Sequence, residues 1–87
     1  MVRVIIPATL RSFCGGSHQL EVDGSNIGQV LRSLDERCPG FYDRVVEEGR
    51  LRPELAFALN GEVVPLALHT DVAPATEIAI VPALGGG

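Results

Sequence analysis

The spacing of hydrophobic and polar positions changes period several times along the chain, and each change marks an element. Val2 to Ile6 is a β-branched run stopped by Pro7, which predicts a strand. His18-Gln19-Leu20-Glu21-Val22 alternates polar and apolar, so a second strand follows with Leu20 and Val22 facing inward. Gly15-Gly16 signals a turn between them, and the two strands read as a hairpin. The period then shifts from 2 to 3.6. Ile27, Val30, Leu31, Leu34 and Cys38 fall at i, i+3, i+4, i+7 and i+11, the apolar stripe of an amphipathic helix. Ser25 or Asn26 supplies its N-cap, with Gln29 three residues after Asn26 in capping-box position, and Pro39-Gly40 ends it. Gly28 costs this helix about 1 kcal/mol against alanine, so close packing is the expected reason for it.

Beyond the helix, residues 41–52 carry Val45 and Val46 among charges and read as a short helical turn and surface loop. Leu55-Ala56-Phe57-Ala58-Leu59 predicts a third strand, with Leu55, Phe57 and Leu59 on one face. Asn60-Gly61 is a hairpin signal because both residues tolerate the positive φ of a type I′ turn, and Glu62-Val63-Val64 returns as a short strand. After an irregular connection over residues 66–76, Glu77 to Val81 predicts a last strand, with Ile78 and Ile80 toward the core and Ala79 and Val81 on the other face. The order is ββαβββ. One helix must cover one face of a mixed sheet, because neither element buries its apolar side alone. This is an α+β chain with the order of the β-grasp, or ubiquitin-like, architecture, in which the first and last strands lie side by side at the sheet centre.

Composition narrows the classes of function. At 87 residues, 46% hydrophobic and 21% charged, the chain reads as one globular domain. Residues 1–81 form the β-grasp domain in this reading and residues 82–87 a flexible, Gly-rich C-terminal tail. Val2 to Pro7 is too short for a signal core, and the longest apolar run, Val63 to Leu68, is far below the roughly 20 residues that span a bilayer. No membrane partner is expected, and a cytoplasmic location follows. Net charge is −4, and the seven arginines are scattered among eleven carboxylates, so no basic patch predicts nucleic acid. The chain has no lysine and therefore cannot be an isopeptide acceptor for copies of itself.

Candidate chemistry is sparse. Cys38 lies on the helix stripe and reads as a small buried hydrophobe. Cys14 sits in the turn Phe13-Cys14-Gly15-Gly16, where a reactive thiol is one reading, with nothing nearby to favour the thiolate. His18 and His69 have no partner at ligand spacing, and Asp35-Glu36 and Glu47-Glu48 read as solvated faces, so no metal site and no catalytic set is predicted. That leaves the ending, Val81-Pro82-Ala83-Leu84-Gly85-Gly86-Gly87. Six residues from Pro82 span about 20 Å at full extension. Pro82 stiffens the exit, and three glycines make the thinnest peptide, able to enter a narrow channel of a partner enzyme. On physics alone two readings stand, a working terminus or an ordinary chain end.

These residues resemble a known family. Ile6-Pro7-Ala8-Thr9-Leu10-Arg11, Gly15-Gly16, Gly28 and Val30, Pro39-Gly40, Asn60-Gly61-Glu62, and the stretch from Glu77 to the final Gly85-Gly86-Gly87 are similar to the ubiquitin-like sulfur carriers, the MoaD and ThiS relatives. Within that family the opening I-P-x-x-L-R followed by G-G is most similar to the actinobacterial cysteine-synthesis carriers (CysO-like) and archaeal MoaD-like proteins. One departure is Pro74-Ala75-Thr76-Glu77, where the family often has Asp-Gly-Asp-Glu.

The resemblance implies a carrier, not an enzyme, that binds no cofactor itself. An E1-like adenylating partner would use ATP and Mg²⁺ to turn the Gly87 carboxylate into an acyl-adenylate, and sulfide would displace AMP to leave a thiocarboxylate. Gly85 and Gly86 would give passage into partner active sites. Ala79, Val81 and Leu84 are the apolar docking candidates, with plain strand filler the competing reading. The sulfur acceptor would be a cysteine-synthase-like enzyme, a ThiG-like enzyme or the molybdopterin synthase large subunit. The alternatives are the small subunit of molybdopterin synthase, a ubiquitin-like protein modifier joined through Gly87, and an interaction module with an idle tail.

Overall fold

The most β-branched segments of the chain occupy the middle of its sheet. In the computed structural model, which describes residues 1–82, the strands are β1 (Val2–Ile5), β2 (Gln19–Val22), β3 (Val46–Glu47), β4 (Arg50–Leu51), β5 (Leu55–Leu59), β6 (Glu62–Val63) and β7 (Glu77–Pro82). The helices are α1 (Ile27–Arg37) and α2 (Phe41–Val45). Five strands form one sheet in the order β2-β1-β7-β5-β6, and β3 and β4 make a separate small hairpin. β1 runs parallel to β7, with Ile5 beside Ala79, while β5 runs antiparallel to β7, with Phe57 beside Ile80. The expected mixed sheet with β1 and β7 adjacent at its centre is therefore present. β7 extends one residue past the expected strand, to Pro82, which stands opposite Leu55. Proline forfeits only its own N–H, a small loss where the ladder is about to end.

Helix α1 covers one face of this sheet. Its whole apolar stripe, Ile27, Val30, Leu31 and Leu34 with Cys38 at the C-cap, is buried against Val2, Val4, Phe57, Ile78 and Ile80. The N-cap is Asn26, whose Oδ1 accepts from the Gln29 N–H at 2.9 Å, while Gln29 Oε1 accepts from the Ser25 N–H at 2.8 Å. The next orphan donors of the helix are met by the irregular connection. The Ile27 N–H donates to Thr70 O at 3.0 Å and the Gly28 N–H to Leu68 O at 2.8 Å. A Cβ on Gly28 would stand 3.2 Å from Leu68 O, so the close packing expected there is real.

The Asn60-Gly61 turn has the expected geometry, with φ of 50° and 86°. Leu20 is only half-buried, and the third strand turns Phe57 into the core with Leu55 and Leu59 packed at its margin. Three features depart from the sequence reading. Residues 8–14, expected as part of a simple hairpin connection, wind into a 3₁₀ helix that buries Leu10 and Cys14. Residues 46–51 pair as β3 and β4 around Glu48 (φ 53°) and Gly49 (φ 74°), a turn hidden in the sequence because glutamate seldom takes positive φ. Most consequential, Cys14 and Cys38, read separately as a turn thiol and a buried hydrophobe, are joined in a disulfide. The burial of Cys38 was expected, but the bond depends on the 3₁₀ helix, which brings the two Cα atoms to 4.6 Å across 24 positions of sequence. Closing a loop of that length removes on the order of 3 kcal/mol of unfolded-state entropy in the chain-entropy account.

Candidate functional site: the outer face of the sheet and the base of the C-terminal tail

Because side chains alternate along a strand, β7 presents Ile78 and Ile80 to the core and Ala79 and Val81 to the opposite face. Register sets their neighbours. Ala79 lies between Ile5 and Ala58, and Ala58 is followed by Val63 of β6. Val81 lies opposite Ala56. A row of Ile5, Ala79, Ala58 and Val63 is thus joined, toward the end of β7, by Val81 and Ala56. Val63 and Val81 are the exposed members, at 67% and 39%. Among the described residues no helix covers this band; α1 lies on the other side of the sheet.

The same face becomes charged at the start of β7. Arg3 lies between Glu21 and Glu77 and pairs with both, at 3.8 and 3.7 Å. These groups are about half exposed, so each pair adds little to stability, but together they make that end of the face hydrophilic. The outer face is therefore graded, ionic where β7 begins and apolar where it ends. Such a gradient gives a docking partner one favourable direction, with its apolar contacts beside the point from which the chain continues to Gly87.

Two clefts flank that point. One is lined by Thr9, Leu10 and Phe13 of the 3₁₀ helix together with Arg44 of α2, Arg52 and Leu55. The other is more apolar and is lined by Pro53, Leu55, Ala56, Val63 and Pro65, among others. Leu55 is common to both and stands opposite Pro82. Arg44 lies over the Phe13 ring at 5.1 Å, and Arg52 donates to Glu47 Oε1 at 3.2 Å and to the Asp43 carbonyl at 3.0 Å. These contacts tie α2 to the 3₁₀ helix and to the β3–β4 hairpin.

Of the sequence-predicted site residues, Ala79 and Val81 fall side by side on the uncovered face. Leu84, Gly85, Gly86 and Gly87 lie outside the described residues. Among the described residues no group of three or more His, Cys, Asp or Glu is placed to hold a metal ion, and no helix is long and apolar enough to cross a membrane. Ile5, Ala56, Ala58 and Val63 were not singled out from the sequence. Only the register of neighbouring strands reveals that they extend the Ala79–Val81 patch.

Comparisons with known proteins bear on the family and the fold. The chain is 33% identical over 67 residues to small archaeal modifier protein 3 of Haloferax volcanii, an alignment covering 75% of this chain and 73% of the relative. Among solved structures it is similar to CysO of Mycobacterium tuberculosis, with TM-score 0.90, 28% identity, and 97% of this chain and 100% of that chain covered. It is also similar to a chain of the Amycolatopsis orientalis BexX/CysO complex, with TM-score 0.89, 29% identity and 100% of both chains covered. The ThiS family profile matches residues 4–87, and the chain belongs to the ThiS family, a group of ubiquitin-like β-grasp carriers and modifiers.

Proposed function

We propose that this ThiS-family chain is a sulfur carrier that works through its C-terminal carboxylate. An E1-like adenylating partner docks on the apolar end of the outer face, through Ala79 and Val81 with Leu84, and receives the tail. With ATP and Mg²⁺ in the partner's site, a Gly87 carboxylate oxygen attacks the α-phosphorus and pyrophosphate leaves, giving an acyl-adenylate. Sulfide, released when a thiol reduces a donor persulfide and is itself left in a disulfide with the donor sulfur, then attacks the Gly87 carbonyl carbon, AMP leaves with the bonding pair, and a thiocarboxylate remains. That group is ionised at neutral pH and is a strong nucleophile toward the electrophilic carbon of an acceptor enzyme's substrate. Gly85 and Gly86 add no Cβ beside the reacting carbon. The carrier itself acts as a co-substrate, in the cytoplasm, where ATP is at hand.

The observation that carries this reading is the graded outer face, whose uncovered apolar end lies where β7 hands the chain to the tail. The likeness to CysO proteins favours a cysteine-synthase-like acceptor. A second reading, a protein modifier joined through Gly87 to target lysines, is favoured by the archaeal modifier relative. The test is the intact mass of the full chain after incubation with an adenylating partner, ATP and sulfide. Replacement of one oxygen by one sulfur is expected. Linkage to target lysines instead would establish the modifier, and an unchanged mass together with a harmless Gly87 deletion in cells would remove both readings.

A further inference from the structure

Among the described residues the Cys14–Cys38 disulfide is the covalent cross-link that joins the wall of a tail-base cleft to the end of α1. Cys14 is the last residue of the 3₁₀ helix, and Thr9, Leu10 and Phe13 of that helix form one side of the cleft that Leu55 closes opposite Pro82. Cys38 is the C-cap of α1, the most firmly packed helix, and is fully buried. The bond therefore fastens one wall of this cleft to the core.

We propose that this disulfide is a reversible redox latch which holds the tail-base cleft in shape when oxidised and loosens it when reduced. Two observations support the assignment, together with the function proposed above, on which it also rests. Cys14 retains 8% exposure and is followed by Gly15 and Gly16, both at positive φ with no atom within 4 Å of where a Cβ would stand. Among the described residues no side chain therefore covers that turn. Opening it breaks only its own backbone bonds, the Gly16 N–H to Arg11 O at 2.8 Å and the Ser17 N–H to Cys14 O at 3.1 Å among them, and would admit a reductant to Cys14 Sγ while Cys38 stays sealed. The 3₁₀ helix has few other ties: Leu10 in the core, the Phe13 ring against Gly40 and Arg44, and an Arg11 Nε–H donated to Ile6 O at 3.1 Å. Finally, activation by ATP, as proposed above, places the chain in a compartment that thiol reductants keep reducing. Disulfides in such compartments are mostly transient or redox-sensing rather than permanent.

The exchange is a two-electron step with a dithiol reductant. One thiolate attacks Cys14 Sγ, the S–S bond breaks, and Cys38 leaves as a thiolate that takes a proton. The second thiol of the reductant then displaces Cys14 from the mixed disulfide. The dithiol ends as a disulfide and both cysteines as thiols. Released from α1, the 3₁₀ helix must be reordered by any partner that docks on it, so binding weakens.

The experiment is hydrogen exchange and a redox titration on the full chain, oxidised and in dithiol buffers of graded potential, followed by binding to the adenylating partner. Reduction is expected to proceed reversibly in native buffer. It should raise exchange at least about tenfold in residues 8–16 while β1, β5 and β7 stay protected, since local opening and global unfolding are separable. Partner affinity should fall about 3- to 10-fold, with the turnover of bound carrier unchanged. Cys14→Ser should match the reduced form in both buffers; if that variant fails to fold, the wild-type titration decides. The proposal is overturned if the bond yields only on global unfolding, if both thiols stay free under mild oxidation, or if oxidised and reduced chains exchange alike. Exchange and titration read the latch without reference to sulfur transfer, so a carrier that acquires no sulfur would end the functional reading and leave these two results standing.

Discussion

The two faces of β7 share a backbone and differ in purpose. Ile78 and Ile80, at 2% and 1% exposure, lie in the densest part of the core, between β1 and β5 and beneath α1. Ala79 and Val81, each one residue away, face outward from the same hydrogen-bonded ladder. A central strand paired on both sides cannot slip, so the rigidity gained by burying one face is passed directly to the other. The comparison separates two roles within one strand: stability is concentrated on the inner face, and the outer face adds little to the core.

The comparison breaks most visibly on the inner side. Ile80→Ala should cost about 3 kcal/mol, within the range for truncating a fully buried isoleucine, read as a lower midpoint in urea with the slope unchanged. Partner binding at a temperature where the variant is still folded should change little. Val81→Asp reverses the pattern. It should weaken docking of the adenylating partner tenfold or more, about 1.4 kcal/mol, while costing stability only about 1 kcal/mol, the span of strand propensity and well below the cost at Ile80. Equal effects on both properties in either variant would erase the division between the faces.

A third change sharpens the account at the start of β7. Ala75 has φ of 66°, in the left-handed region, at the position where the family often carries glycine. Ala75→Gly should stabilise the domain by about 1 kcal/mol, seen as a rise of a few degrees in Tm, with docking unaffected. Smallest of all, Arg3→Ala removes two half-exposed ion pairs and should cost less than about 1 kcal/mol, an effect that disappears in high salt.

Much of this architecture was legible in the residues because local chemistry and the final fold agree. The α1 stripe was read position by position, since a 3.6 period has one solution on one core. Asn60-Gly61 announced its turn, because few pairs accept two positive φ values. The site was legible only in part. Ala79 and Val81 followed from alternation, but their neighbours Ile5, Ala58 and Val63 come from strands distant in sequence, and no local pattern states which register those strands adopt. The 3₁₀ helix escaped notice because Ala8 to Cys14 has no long periodic stripe, and the β3–β4 turn because Glu48 violates its own preference.

The amino-acid sequence by itself determined the element order, the inward and outward sides of each strand, and the helix and its caps. These follow from backbone periodicity and the steric limits of single residues, which act over a few positions. Only the tertiary structure decided that an apolar band runs across four strands near the end of β7, and that Cys14 and Cys38 meet across 24 residues. Both are consequences of long-range packing, in which the burial of one common core chooses the strand registers and brings the 3₁₀ helix against the end of α1.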